Sequence, residues 1–355
     1  MNAEEFQWNA CLEQIVAWYA GSRRVLPWRE DRSPYQVWVS EIMLQQTRIE
    51  AVIPYYHRFL AALPTVADLA AVEDEKLMKL WEGLGYYSRA RNLKKAAQRI
   101  LSDFGGELPA TAAELKSLPG IGDYTAGAIA SIAFGQPEPA VDGNVLRVMT
   151  RLLAWDADIA SPKTKAEMIR LLRQHYPGGE AAGLLTEGIM ELGETLCIPN
   201  GEARCELCPV RRFCRARLSG QVERYPVKSP PRERRTEKRS VFLLRCGDRY
   251  AIRRRPPAGL LAGLWEFPGA EGAFQPEAAS ALLAEWGLRT GEVRCIGRAR
   301  HVFTHVEWDM DAYLAECEAP GGDFLWVRRD EIRQQYSVPT AFRFFLRYLE
   351  SGDSP

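Results

Sequence analysis

Along the first 215 residues, apolar side chains return at three- and four-residue intervals, the period that buries one face of an α-helix. The stretches 13–19, 35–49, 75–81, 93–100 and 165–173 carry this period and predict helices. Glycine and proline separate them at Pro54, Pro64, Gly83, Gly105, Gly106, Pro119, Gly120, Pro177 and Gly178. No comparable series of alternating strands interrupts this region. The pattern then stops: residues 223–240, ERYPVKSPPRERRTEKRS, have almost no apolar content and read as a basic linker. From Val241 the period changes to two. VFLLRC, YAIRR, VRCIG, HVFTHVEWDMDAYLAE and DFLWV predict strands, and 277–286 and 340–349 predict helices. The expected architecture is multi-domain: a mostly α domain over 1–222, a linker over 223–240 and an α+β domain over 241–355.

Composition supports this division. The chain has 355 residues, more than one ordinary domain, and 46% of them are hydrophobic, enough for real cores. Met1 to Ala10 contain two glutamates and no basic leader, and no apolar run approaches the roughly 20 residues of a membrane span. A soluble, intracellular protein without membrane partners is expected. The formal net charge is zero, but residues 204–239 hold twelve Lys and Arg against four Asp and Glu. Such a stripe is either a phosphate footprint or a solvated linker.

Four of the eight cysteines, Cys197, Cys205, Cys208 and Cys214, fall within eighteen residues as C-x7-C-x2-C-x5-C. In an intracellular protein this clustering points to metal more than to disulfides. Zinc sites usually show two C-x2-C pairs; one pair with uneven neighbours better suits a [4Fe–4S] cluster. Two further segments carry possible chemistry. LPGIGDYTAGAIA (118–130) places Gly120 and Gly122 in a turn before a helix, where free N–H groups can hold a phosphate; a plain αα-hairpin has the same pattern. In VDGNVLRV (141–148), Asp142 sits at a helix N-cap, a position aspartate also fills for purely structural reasons. Glu41 lies among Val37, Trp38, Ile42 and Leu44; burial there would raise its pKa and suit a general acid, while an exposed glutamate on an amphipathic helix fits the same pattern.

Longer motifs decide among these readings. LPWR (26–29), VWVSEIMLQQTR (37–48) and GLGYYSRARNLKKAA (83–97), with the hairpin, Asp142 and the cysteine set, closely resemble MutY-type adenine DNA glycosylases of the helix–hairpin–helix superfamily. The resemblance covers most of residues 6–215. One departure is the first cysteine gap, seven residues where the family has six, with the extra residue in a Pro-Asn-Gly turn. The resemblance implies one [4Fe–4S] cluster on the four cysteines. It makes Asp142 catalytic and Glu41 the acid that protonates the adenine ring. Tyr124, Asn144 and Glu187 would orient these groups. Trp28 and Leu44 would line the adenine pocket, Gln46 and Tyr86 would wedge into the base stack, and Arg29, Thr47, Gly120 and Gly122 would contact substrate or backbone. Tyr124 stands where bifunctional relatives carry a lysine that forms a Schiff base, which implies a monofunctional enzyme.

In the second domain, LWEFPG (264–269) resembles a Nudix fold, but the matching helix offers only Glu277 and Glu285 for divalent metal. The resemblance there is to the MutY C-terminal domain, which recognises 8-oxoguanine. Its Phe-Ser-His loop corresponds to Phe303, Thr304 and His305. The implied partner is duplex DNA with adenine opposite 8-oxoguanine or guanine, handled by a monomer in the cytoplasm or nucleoid. Three competing readings are a bifunctional pyrimidine glycosylase/lyase, opposed by Tyr124; a Nudix hydrolase, opposed by the missing glutamates; and a non-catalytic iron–sulfur DNA-binding protein, which needs neither Glu41 nor Asp142.

Overall fold

The computed structural model describes residues 6–230 and 233–351. Pro231 and Arg232, inside the stretch read as linker, lie outside the described residues. The chain divides into two compact units, Met1–Val72 with Arg91–Pro230, and Glu73–Ala90 with Pro231–Pro355.

The first unit is helical. The Trp8–Ser22 helix packs against Glu180–Thr195, and Pro34–Leu44 packs against Asp123–Phe134. The Asp123–Phe134 helix is apolar nearly all round, so it is buried from Thr125 to Ile132. Gly127 allows close approach: a Cβ there would sit 2.5 Å from the Pro139 carbonyl oxygen. Only a residue without a side chain lets the extended segment leading to Asp142 lie against this helix. The core joins Ile15, Val145, Met149, Leu185 and Ile189.

Two local differences from the sequence reading matter. The helix expected over 35–49 ends at Leu44, and the next runs from Ile49 to Ala62. Between them Gln46 has φ +56°, a left-handed conformation that periodicity cannot reveal. Pro54, expected as a separator, lies inside the Ile49–Ala62 helix on its exposed side. As the sixth residue of the helix it removes the N–H that would bond the Glu50 carbonyl, so the helix forgoes one internal hydrogen bond on its solvent side.

The second unit is a seven-stranded mixed sheet flanked by helices. Its strands are β1 (Arg235–Cys246), β2 (Arg249–Arg254), β3 (Trp265–Glu266), β4 (Gly269–Glu271), β5 (Thr290–Val302), β6 (Val306–Cys317) and β7 (Leu325–Arg328). The order is β3-β2-β1-β6-β5, with β4 beside β1 and β7 beside β2. Strand alternation sends Val241 and Leu243 to a core with Trp308, Phe342 and Phe345, and Phe242 and Leu244 to a core with Leu283 and Tyr313.

Strand β1 starts six residues before the predicted Val241. Arg235–Ser240, read as linker from its charges, pairs in parallel with Val306–Asp311. Backbone pairing outweighs composition here: Ser240 is buried, and Glu237 accepts a hydrogen bond from the Trp308 indole at 3.0 Å. The preceding stretch is also anchored, since Ile159 donates its N–H to the Val227 carbonyl at 3.0 Å. The single strand expected over 301–316 is instead a hairpin, with β5 and β6 antiparallel and residues 303–305 at its turn. No helix among the described residues is long and apolar enough to cross a membrane.

Candidate active site

Glu41 sits on the buried side of the Pro34–Leu44 helix, 5% exposed. One of its oxygens accepts a hydrogen bond from the Tyr124 hydroxyl at 2.8 Å. Burial pushes its pKa up to about 7; the tyrosine hydrogen bond opposes the rise, while Glu187 and Asp142 reinforce it by repulsion. The carboxyl is thus divided between its two forms near neutral pH. Tyr124 lies in the first turn of its helix, and burial raises its pKa well above the ordinary value, so it remains a phenol.

Asp142 caps the Gly143–Leu153 helix, accepting the Val145 N–H at 2.8 Å. Burial raises its pKa, but hydrogen bonds from the Val145 and Asn144 backbone, then the charges of Arg147 and Lys165, pull it back. The helix N-terminus adds its own preference for negative charge. Burial raises both carboxyls, but what acts against it differs: a single tyrosine hydrogen bond, with neighbouring acids adding to the rise, at Glu41, and backbone N–H donors with cations at Asp142.

Around this pair, buried ions set orientation. Glu187 is 4% exposed and ion-paired with Arg32; burial raises its pKa against the pull of Arg32 and Arg29. Arg29 pairs with Glu191 at 2.8 Å, its guanidinium 5.3 Å from the Tyr19 ring centroid. Arg29, expected at the substrate or backbone, is thus engaged in the interior. Trp28 is buried edge-to-face on Tyr56 at 5.4 Å. Leu44 is half-buried at its helix end, Gln46 is exposed, and Thr47 donates its hydroxyl to the Gln45 carbonyl at 3.3 Å.

In the hairpin, Gly120 has φ +79°, and a Cβ there would meet Asn92 Cβ at 2.7 Å. Gly122 occupies the N-cap with open space around it and no side chain to engage the first N–H groups of the helix. N–H donors left without a side-chain cap at a helix N-terminus are what a phosphate site requires.

The four cysteines line one cavity with Val148, Leu152 and Leu192, and Arg151 donates to Cys197 Sγ at 3.3 Å. Among the described residues no three His, Cys, Asp or Glu converge as the ligands of a single ion do. Thiolates on the corners of a four-iron cluster stand farther apart than ligands of one ion. A shared cavity walled by aliphatic side chains and by Arg151, Arg204, Arg211 and Arg217, whose charges suit a thiolate-bound group, is compatible with a cluster of that kind. Nearby, Arg212 lies over the Phe213 ring at 4.7 Å and Arg215 over Phe6 at 5.6 Å.

In the second unit the β5–β6 turn closes with Phe303 N–H on the Val306 carbonyl at 2.8 Å. Phe303 packs on Trp308 at 4.9 Å, whereas Thr304 and His305 are exposed. Tyr86, which this unit includes, has φ +47°, and its hydroxyl lies 3.0 Å from Thr304 Oγ1. Glu277 and Glu285 stand at opposite ends of the Pro276–Glu285 helix.

Comparison with known proteins identifies this assembly. Residues 39–174 match the HhH-GPD superfamily of base excision DNA repair proteins, and 240–348 match the NUDIX domain. The adenine DNA glycosylase of Rattus norvegicus is 34% identical over 96% of this chain and 78% of its own length. The Homo sapiens adenine DNA glycosylase is 36% identical over 96% of this chain and 74% of its own length. The chain belongs to the adenine DNA glycosylase family. Among solved structures, a thermostable thymine-DNA glycosylase aligns with TM-score 0.53 and 26% identity, covering 59% of this chain and 96% of that one. A non-covalent endonuclease III–DNA complex aligns with TM-score 0.51 and 26% identity, covering 62% of this chain and 98% of that one. The fold is accordingly a helical helix–hairpin–helix domain followed by a Nudix-like α+β domain.

Two arginines central to this member of the family escaped the sequence reading. Arg147 donates to Asn144 Oδ1 and the Gly193 carbonyl, each at 2.9 Å, and to the Cys197 carbonyl at 2.9 Å. It ties the helix start bearing Asp142 to the cysteine loop. Its signal was present: Arg147 and Arg151 stand four apart in an otherwise apolar helix, and buried arginines demand partners. Arg89 donates to the Leu84 and Gly85 carbonyls at 3.0 and 3.1 Å and lies 5.6 Å from the Tyr86 ring centroid, bracing that left-handed turn.

Proposed function

We propose that the protein removes adenine mispaired with 8-oxoguanine, and with guanine, from duplex DNA by hydrolysing the N-glycosidic bond without cutting the strand. The observation that carries this reading is the pairing of Glu41, desolvated and held by Tyr124, with Asp142 at a helix N-terminus. The glycosidic bond is inaccessible in a duplex, so the adenine must be flipped out. Gln46 and Tyr86, both in left-handed turns, fill the stack, and the buried Trp28 and half-buried Leu44 shape the adenine pocket.

Protonated Glu41 donates its proton to an adenine ring nitrogen. The C1′–N9 bond breaks, and its electron pair leaves with the base. Asp142 stabilises the positive charge on the sugar, through space or as a transient ester, until water adds at C1′ and gives up a proton. Tyr124 and Asn144 orient the two carboxyls, and Glu187 keeps charge off Glu41. The hairpin N–H groups after Gly120 and Gly122 hold the backbone. Tyr124 has no amine to form a Schiff base, so the product is an intact abasic strand. Breaks that appear only after heat and alkali support this; breaks before alkali, with borohydride-trapped protein–DNA adducts, would contradict it.

Selectivity for the opposite base is assigned to the turn at Phe303, Thr304 and His305. Thr304 retains the hydroxyl that would meet 8-oxoguanine, already partnered with Tyr86. Thr304→Ala with His305→Ala should reduce preference for 8-oxoguanine over guanine about tenfold, the worth of one or two hydrogen bonds. Unchanged preference would remove this role.

A [4Fe–4S] cluster on Cys197, Cys205, Cys208 and Cys214 would rigidify the loop carrying Arg211, Arg212 and Arg215. Anaerobically purified protein should carry about four irons and four sulfides per chain, and Cys205→Ser should lower both. One zinc per chain would contradict the assignment.

A further inference from the structure

A groove of about 680 Å³ in the second unit lies outside every site described above. Its walls are the end of strand β5, which forms the edge of the sheet, and the C-terminal Arg343–Ser351 helix. The floor is made by a local distortion. The β5–β6 register shifts between Cys295 and Gly297, and Gly297 adopts φ +142°. A Cβ at Gly297 would sit 2.9 Å from Phe344 Cζ, so the glycine admits the aromatic ring into the groove.

The charges around this floor are unbalanced. Arg343 and Arg347 are exposed and four residues apart, on one face of the helix. Arg343 is also the first residue of that helix, where the macrodipole disfavours a cation. Neither guanidinium has an ion-pair partner among the described residues; the helix's own Glu350 faces Arg333 at 3.8 Å. Two like charges four residues apart on a helix repel each other unless an anion is bound between them. Arg300, the third cation on the groove, is by contrast neutralised by Glu307.

The groove is joined to the hairpin turn through a single ring contact. His301 lines it and meets Phe303 edge-on with ring centroids 4.5 Å apart. That contact makes the groove continuous with the turn at which Thr304 and His305 would engage a strand. We propose that the groove seats a backbone phosphate of the DNA strand held by the Phe303–Thr304–His305 turn, with Arg343 and Arg347 as the phosphate ligands and Phe344 and Tyr348 as the apolar wall. This rests on the reading that the chain acts on duplex DNA. The same chemistry would accept the phosphate of a free nucleotide. Continuity with the turn and the exposure of both arginines favour the strand.

The test uses the full chain and a duplex with 8-oxoguanine opposite non-cleavable 2′-fluoroadenosine. The dissociation constant is measured between 50 and 200 mM salt for wild type, Arg343→Ala/Arg347→Ala and Arg298→Ala. Arg298 also lies on β5, exposed and paired with Asp311 at 2.8 Å, and does not line the groove. The double variant should bind about tenfold more weakly, with a log–log salt slope smaller by about 1, for the one phosphate the groove holds. Arg298→Ala should match wild type. An unchanged slope in the double variant, or an equal loss in Arg298→Ala, overturns the proposal. So does dGMP binding that depends on both arginines while duplex affinity stays unchanged. Failure of wild type itself to bind the duplex would instead sink the reading of the whole protein.

Discussion

Asp142→Asn should lower single-turnover adenine release on the order of 10³-fold or more while leaving lesion-duplex affinity within about twofold. The substitution isolates charge from structure. Asparagine caps helices as well as aspartate and keeps an oxygen for the Val145 N–H, so the Gly143–Leu153 helix should form and the melting temperature should hold. Only the negative charge that faces the developing sugar cation is lost. Release at near wild-type rate would remove Asp142 from the chemistry. Lost binding together with lost release would make it a structural cap.

Glu41→Gln should reduce release by about 10²- to 10⁴-fold, the usual worth of a positioned general acid. It should also erase a pH dependence. Burial holds the Glu41 pKa at about 7, so the wild-type rate should fall as pH rises through that value, about tenfold per unit beyond it. The residual rate of the variant should lack this limb. Stability moves in a linked direction. The folded carboxyl keeps its proton up to about 7, whereas an unfolded glutamate releases it near 4.5. Folding is therefore favoured below that window and loses stability as pH rises through it. At pH 8 Glu41→Gln should melt no lower than wild type. A lower melting temperature, or a variant that retains the pH limb, would show that Glu41 is not the buried acid.

Much of this site was legible before any coordinates, and what was not has physical causes. By local pattern Glu41 was also an ordinary exposed glutamate on an amphipathic helix and Asp142 an ordinary helix cap; the longer motifs around them tipped both toward chemistry. The break at 45–48 was hidden because a left-handed φ on glutamine leaves no mark on hydrophobic periodicity. Periodicity ran a strand through 303–305 because alternation continues through both arms of the hairpin, and only the resemblance marked a loop there. Arg235–Ser240 read as linker because its charged residues carry no apolar alternation, while its place in the sheet comes from backbone pairing and from the contacts of Glu237 and Arg239 with Trp308. The grouping of residues 73–90 with the second unit depends on contacts such as Glu82 with the Val338 N–H at 3.0 Å, which no local pattern encodes. Arg147 was passed over because arginine is normally a surface residue, although its place among the apolar positions of its helix was a usable warning.

The central claim is tested most directly by single-turnover base release from duplexes carrying one adenine opposite 8-oxoguanine, guanine or thymine, with heat and alkali applied afterwards to reveal abasic sites. The account predicts fast release opposite 8-oxoguanine, slower release opposite guanine and none opposite thymine. Cluster-loaded protein that binds the 8-oxoguanine duplex tightly yet releases no adenine would contradict it.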